Sequence, residues 1–136
     1  MKNNINSFEI VEAPNKKQLV NNVQAEFKKQ FDNQPKHVTI TPGRVNIIGE
    51  HTDYNDGLAM PTAIDRWICA AACKSSNESF TIYSLDYNES VTISFHTPNK
   101  FKGIWKQLAA EALHVITTEF IIKEGINMVV GGNIPI

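Results

Sequence analysis

The sequence predicts an α+β domain in which helices cover a mixed or antiparallel sheet, and three observations carry that prediction. Residues 15–31 place Leu19, Val20, Val23, Phe27 and Phe31 at helical spacing. Residues 80–85 and 91–95 alternate apolar and polar side chains, as strands covered on one face do. After Pro98 the period changes: Trp105, Leu108, Ala109, Ala112, Leu113, Ile116 and Phe120 mark one face of a helix of ~18 residues.

Each element has its own signals. Residues 1–15 are polar and punctuated by Pro14, so they read as a loose arm that Phe8, Ile10 and Val11 dock in part. Asn15 is placed to cap the first helix, and Lys16, Lys17, Lys28 and Lys29 fall on its solvated side. The run 32–35 is turn chemistry, and Val38 and Ile40 mark a short strand over 37–41. Pro42-Gly43 predicts a turn, Val45 to Ile48 the next strand, and Asn55-Asp56-Gly57 another turn. Residues 58–64 and 67–73 are apolar without alternation and read as two well-covered strands. The strands at 80–85 and 91–95 form a hairpin through 86–90. Gly125 is expected to end the second helix, Asn127 to Val130 to form a last strand, and Gly131-Gly132 to turn.

Composition narrows the function classes. The 136 residues suffice for one domain, without an internal repeat or linker. A formal net charge of −1 gives no reason to expect nucleic acid or an anionic membrane as partner. No apolar run reaches the ~18–20 residues of a membrane span. The N-terminus lacks the apolar core of a secretory signal, so the expected location is cytoplasmic and the sequons at Asn77 and Asn88 are coincidental. On one strand Cys69 and Cys73 would stand ~13 Å apart, too far for a disulfide, so buried thiols are expected. A zinc site would need more Cys or His partners at ligand spacing.

The chemistry concentrates in residues 41–57, Thr-Pro-Gly-Arg-Val-Asn-Ile-Ile-Gly-Glu-His-Thr-Asp-Tyr-Asn-Asp-Gly. A short apolar strand feeds a polar, glycine-punctuated loop, the usual place for binding groups on a rigid scaffold. Glu50 and Asp53 can each accept several hydrogen bonds from one polyhydroxylated ligand. His51 adds a ring nitrogen, and Tyr54 an apolar face or a hydroxyl. Arg44 is the cation suited to charge that develops on a phosphoryl group. Residue types alone leave open a structural ion pair of Arg44 with Glu50 or Asp53, a turn role for His51, and a weak metal site at Glu50, His51 and Asp53. No GxxxxGK[ST] loop and no His-Arg-Asp constellation is present, so neither a P-loop nor a protein-kinase site is expected.

This stretch closely resembles the galactokinase signature of the GHMP small-molecule kinases, PGRVN-[LI]-IGEHTDYN-x-G, and residues 58–65 continue in the bacterial manner. Thr41 stands where Ala or Ser is commoner. The resemblance implies the N-terminal part of a GHMP-kinase domain, related to the ribosomal protein S5 domain 2-like fold, over residues 1–136. It implies transfer of the γ-phosphate of ATP to the 1-hydroxyl of α-D-galactose. By the same resemblance Arg44 is the transition-state stabiliser. Arg44, Glu50, His51, Thr52 and Asp53 bind the sugar. Ser84 and Trp105 contact the nucleotide, although a tryptophan on an apolar helix face is more often core. Galactose and ATP are the implied ligands, with Mg2+ as cofactor. A family member is roughly three times longer than this chain. Its Gly/Ser-rich phosphate loop, magnesium ligands, catalytic aspartate and C-terminal domain are thus expected beyond residue 136. The chain alone is expected to be inactive, with part of its core uncovered. Two alternatives stay open: a non-catalytic galactose sensor, and a kinase for N-acetylgalactosamine or arabinose. His37, His96 and His114 receive no role.

Overall fold

The computed structural model describes residues 14–95, 101–120, 122 and 124–134, with Asp53 described in its backbone only. The expected arm with Phe8, Ile10 and Val11, and His96, lie outside the described residues. The elements follow in the order α1 (Lys16–Phe31), β1 (His37–Ile48), β2 (Met60–Ser75), β3 (Ser79–Ser84), β4 (Glu89–Ser94), α2 (Ile104–Glu119) and β5 (Gly125–Gly132). The strands form one sheet in the order β1-β2-β5-β3-β4. Only the β3–β5 pair is parallel; β1–β2, β2–β5 and β3–β4 are antiparallel. The parallel pair is possible because β4 and α2 supply the long crossover that parallel strands need.

Helix α1 begins where expected. The Asn15 side chain accepts from the Gln18 N–H while the Gln18 side chain accepts from the Asn15 N–H, a reciprocal capping box with both contacts at 3.0 Å. Its apolar stripe, Leu19, Val23 and Phe27, lies on one face of the sheet against Cys69, Ala71, Cys73, Tyr83 and Val129. Val23, Phe27, Cys69 and Val129 are fully buried, and each large side chain so placed stabilises the fold by about 1.5–3 kcal/mol. The small residues of β2 at Cys69, Ala71 and Cys73 let the helix approach closely. Both cysteines are free and buried, and burial pushes the Cys69 thiol up, so it behaves as an inert core group.

Among the described residues, the opposite face is covered only toward β3 and β4. There Phe80, Val91 and Ile93 meet Ala110, with Trp105, Ala109 and Leu113 of α2 packed around them. Strand β5 is sandwiched, with Val129 toward α1 and Ile126 toward α2. Apolar surface remains uncovered on α2 at Ile104, Leu108 and Val115, just past it at Phe120, and on β1 and β2 at Val45, Ile47, Ile48 and Met60.

Four sequence expectations need correction. The turn at Pro42-Gly43 is instead a register shift within one 12-residue strand, where the pairing steps from Pro42↔Trp67 to Gly43↔Ile64. Asp65 and Arg66 are the extra residues on the partner, so the two strands expected over 58–73 are one bulged 16-residue strand. Strand β1 is an edge strand, which tolerates the missing donor of Pro42. Gly125 does not end α2: the helix stops at Glu119, with Phe120 extended, and Gly125 opens β5. A Cβ there would come within 2.0 Å of the Asn77 carbonyl and 2.3 Å of that of Ser79, so close backbone approach is what requires glycine. Gly131 and Gly132 continue β5, paired with Cys69 and Ile68, rather than turning.

This architecture creates an arm. The last β2–β5 pair is Ile68↔Gly132, yet β1 and β2 continue pairing from Gly43↔Ile64 to Ile48↔Met60. Among the described residues that continuation is a two-stranded ribbon without a third strand, and the polar stretch 49–59 forms its tip.

Candidate functional site

At the tip, one threonine ties the loop together. The Thr52 hydroxyl donates to the Gly49 carbonyl at 2.7 Å and reaches the Leu58 carbonyl at 3.1 Å, spanning the two ends of the loop. The Thr52 carbonyl accepts from the N–H groups of Asn55 (3.0 Å) and Gly57 (2.8 Å). Gly49 has φ of 90°, and a Cβ there would lie 2.3 Å from the Leu58 carbonyl oxygen. Only glycine meets both conditions without strain. Residues Asp53–Asn55 make a single 3-10 turn, closed by Asp56 in the left-handed region.

His51 is also left-handed, with φ of 63°, a conformation that is uncommon outside glycine and recurs at functional sites. It is held at both ends. The Asn55 side-chain amide donates to its carbonyl at 3.0 Å, and Nδ1 of its ring lies 2.8 Å from the Tyr54 hydroxyl. The rings meet edge-on, 6.0 Å between centroids. Glu50, His51 and Tyr54 are exposed. Arg44 is set back on β1, opposite Ala63, and four strand residues place it ~13 Å behind Ile48. Among the described residues no ion pair joins it to Glu50. The Asp53 side chain lies outside the described residues.

A second cluster lies across the sheet from the arm, where the β3–β4 turn meets the start of α2. The Trp105 indole N–H donates to Glu89 Oε1 at 2.7 Å, and Lys106 Nζ donates to Glu89 Oε2 at 2.7 Å. Tyr87 stacks on Trp105 with centroids 5.7 Å apart and planes 9° from parallel. Ser84 is buried at the end of β3, and its hydroxyl oxygen accepts from the Tyr87 N–H at 3.4 Å. The Gly132 N–H donates to Asp86 Oδ1 at 3.3 Å, which ties the end of β5 to the same turn. Hydrogen bonds from Lys106 and then Trp105 hold the Glu89 carboxyl below the ordinary carboxylate range. Glu89 also places negative charge beside the first turn of α2, where the helix dipole favours it.

Comparison with known proteins converges on one family. A family model described as the galactokinase galactose-binding signature matches residues 25–74. Galactokinase of Haemophilus influenzae strain PittGG is 34% identical over 119 residues, which cover 86% of this chain and 31% of that protein. Galactokinase of Lacticaseibacillus casei is 32% identical over 112 residues, covering 80% of this chain and 29% of its own length. The crystal structure of Lactococcus lactis galactokinase complexed with galactose superposes with a TM-score of 0.67 at 25% identity, over 82% of this chain and 30% of that one. The chain is therefore similar to galactokinases over most of its own length and carries their galactose-binding signature at residues 25–74. Mevalonate kinase of Methanococcus jannaschii shares the fold, with a TM-score of 0.56 at 21% identity over 74% of this chain and 33% of that one. The chain spans about three tenths of the length of the galactokinases it matches.

Within this fold, the sequence-predicted residues fall into the two clusters and one outlier. Glu50, His51, Thr52 and the Asp53 backbone share the loop, and Ser84 and Trp105 meet around Tyr87. Arg44 stands apart on the arm. The structure gives the Thr52 hydroxyl a loop-closing task alongside the sugar contact expected of it. Sequence reasoning missed Tyr87, Glu89 and Lys106. Glu89 meets Trp105 and Lys106 only through tertiary packing, and no periodic signal joins residues so far apart. The Tyr54–His51 contact was missed too, although its i,i+3 spacing within a turn was a readable signal. Among the described residues, no cluster of three or more His, Cys, Asp or Glu groups could hold a metal, and no helix is long and apolar enough to cross a membrane.

Proposed function

We infer that residues 1–136 are the N-terminal part of a kinase that transfers the γ-phosphate of ATP to the 1-hydroxyl of α-D-galactose. The match of residues 25–74 to the galactose-binding signature, whose polar stretch 49–59 folds here as one tied loop, carries the reading. Glu50 and Asp53 accept hydrogen bonds from sugar hydroxyls, and His51 contributes its ring nitrogen. A site built to pair hydroxyls rejects sugars that lack them, because its polar groups are then left unpaired. Arg44, set back from the loop, stabilises charge on the transferring phosphoryl group.

The second cluster suits the nucleotide side. Tyr87 and Trp105 offer a flat aromatic surface, with Ser84 at its base. Mg2+ would offset charge on the ATP phosphates; we place its ligands, the phosphate loop, the catalytic base and the C-terminal domain outside these residues. The uncovered apolar surfaces of the arm and of α2 support this division. A cytoplasmic location and a chain that is inactive alone complete the reading.

Calorimetric titration of the chain with galactose, N-acetylgalactosamine and arabinose tests the sugar assignment, with galactose expected to bind tightest. Tighter binding of another sugar overturns it. Formation of galactose 1-phosphate by these residues alone would refute the division of labour. In a complete kinase containing this chain, Arg44→Ala should lower kcat more than it raises the galactose KM, and Asp53→Ala should do the reverse.

A further inference from the structure

We propose that Tyr54 is a positioning residue, fixing the tautomer of His51 so that its Nε2–H is presented to a sugar hydroxyl. The inference rests on the galactose reading of the loop and deepens it. The Tyr54 hydroxyl and His51 Nδ1 are 2.8 Å apart, so one of them holds the proton between them. A neutral imidazole carries one N–H and one bare nitrogen, and a hydrogen bond at one decides the state of the other. A phenol oxygen shares its lone pairs with the ring, which makes it a better donor than acceptor. The bare sp² nitrogen of imidazole is in turn the stronger acceptor of the two. The phenol therefore donates, Nδ1 is bare and Nε2 bears the hydrogen.

The remaining contacts fix where that hydrogen points. The left-handed backbone of His51 and the bond from the Asn55 amide to its carbonyl set the Cα position. The edge-on contact with Tyr54 then sets the ring. Nε2 lies across the ring from Nδ1, and no other described group bonds it, so it faces solvent at the loop tip as a donor. Glu50 beside it, when ionised, can only accept. The loop thus offers a donor and an acceptor in adjacent positions, which discriminates the direction of a hydroxyl better than carboxylates alone.

Nitrogen NMR of the chain labelled at histidine, at about pH 8 where an ordinary imidazole is neutral, tests the tautomer directly. His51 should show a bare Nδ1 and a protonated Nε2, and Tyr54→Phe should shift both signals toward a tautomer mixture. Unchanged signals in Tyr54→Phe, or a protonated Nδ1 in the natural chain, overturn the proposal whatever the loop binds. Galactose titration tests the consequence. Tyr54→Phe should raise Kd about fivefold, the factor one neutral hydrogen bond supports. His51→Asn, which keeps a residue tolerant of positive φ, should raise it further. If His51→Asn binds as the natural chain does, the galactose reading of His51 fails, while the NMR result still decides the tautomer. If His51→Asn weakens binding and Tyr54→Phe does not, the positioning role fails alone.

Discussion

Each described side-chain hydrogen bond that holds the loop between Gly49 and Ala59 joins residues at most six positions apart. The bonds that orient Trp105 and Lys106 cross from β4 to α2, sixteen and seventeen positions away. The loop rides on a two-stranded ribbon, whereas the aromatic cluster rests where packed sheet and helix meet. The loop's shape is therefore written locally, in turn residues and glycine. The cluster's shape depends on the sheet order that brings β3, β4, β5 and α2 together. Damage to the core should dismantle the cluster first, and damage to the loop should leave the cluster in place.

The largest expected effect follows from the core. Phe27→Ala removes a fully buried ring between α1 and the sheet, and should cost about 3–5 kcal/mol in urea unfolding. Ile47→Ala on the arm, 62% exposed, should stay within about 0.5 kcal/mol. Comparable losses would mean that the arm is packed in solution and that the contrast between the two regions is false.

Gly49→Ala attacks the loop alone. The new Cβ meets backbone at 2.3 Å in a left-handed conformation, a strain of roughly 1–3 kcal/mol. Galactose binding should be lost while the Trp105 environment, read by fluorescence in a Trp67→Phe background, stays unchanged. A shift in Trp105 emission would show that the two regions are coupled through the sheet.

The same contrast explains what could be read from the residues. The loop was legible because a turn, a glycine and a cluster of carboxylates are neighbours in the chain. The N-cap at Asn15 was legible for the same reason. The long strands were misread as pairs of short ones, since a bulge at Asp65-Arg66 and a proline on an edge look like turns until a partner strand is present. Gly125 was misread as a helix stop because its constraint comes from Asn77 and Ser79, far back in the chain. Apolar periodicity marked Trp105 as part of a helix face. It could not show that Glu89 holds its indole or that Tyr87 stacks on it.

Thr52 separates loop closure from sugar contact. Thr52→Val keeps the shape and removes the donor to the Gly49 and Leu58 carbonyls, which should cost about 1 kcal/mol. Hydrogen exchange at the Asn55 and Gly57 N–H groups, both bonded to the Thr52 carbonyl, should speed up. Thr52→Ser should restore protection and galactose affinity together. Restored protection without restored affinity would assign the Thr52 methyl group a separate part in sugar binding.

The smallest effect concerns the aromatic cluster and is read through pH. The folded state holds the Glu89 carboxyl below its ordinary value, chiefly through Lys106 and then through Trp105. A depressed carboxylate contributes stability that is present above the unfolded pKa and lost as pH falls through the folded pKa. Acidification should therefore release the indole N–H and alter Trp105 emission in the Trp67→Phe background, below the pH at which an ordinary glutamate titrates. Glu89→Gln removes the titrating group, keeps an acceptor for the indole, and should abolish that acid transition. Loop exchange rates should be the same in both proteins at neutral pH, since no described bond runs from Glu89 to the arm. An acid transition that persists in Glu89→Gln would assign the change to general unfolding of the sheet rather than to release of the indole.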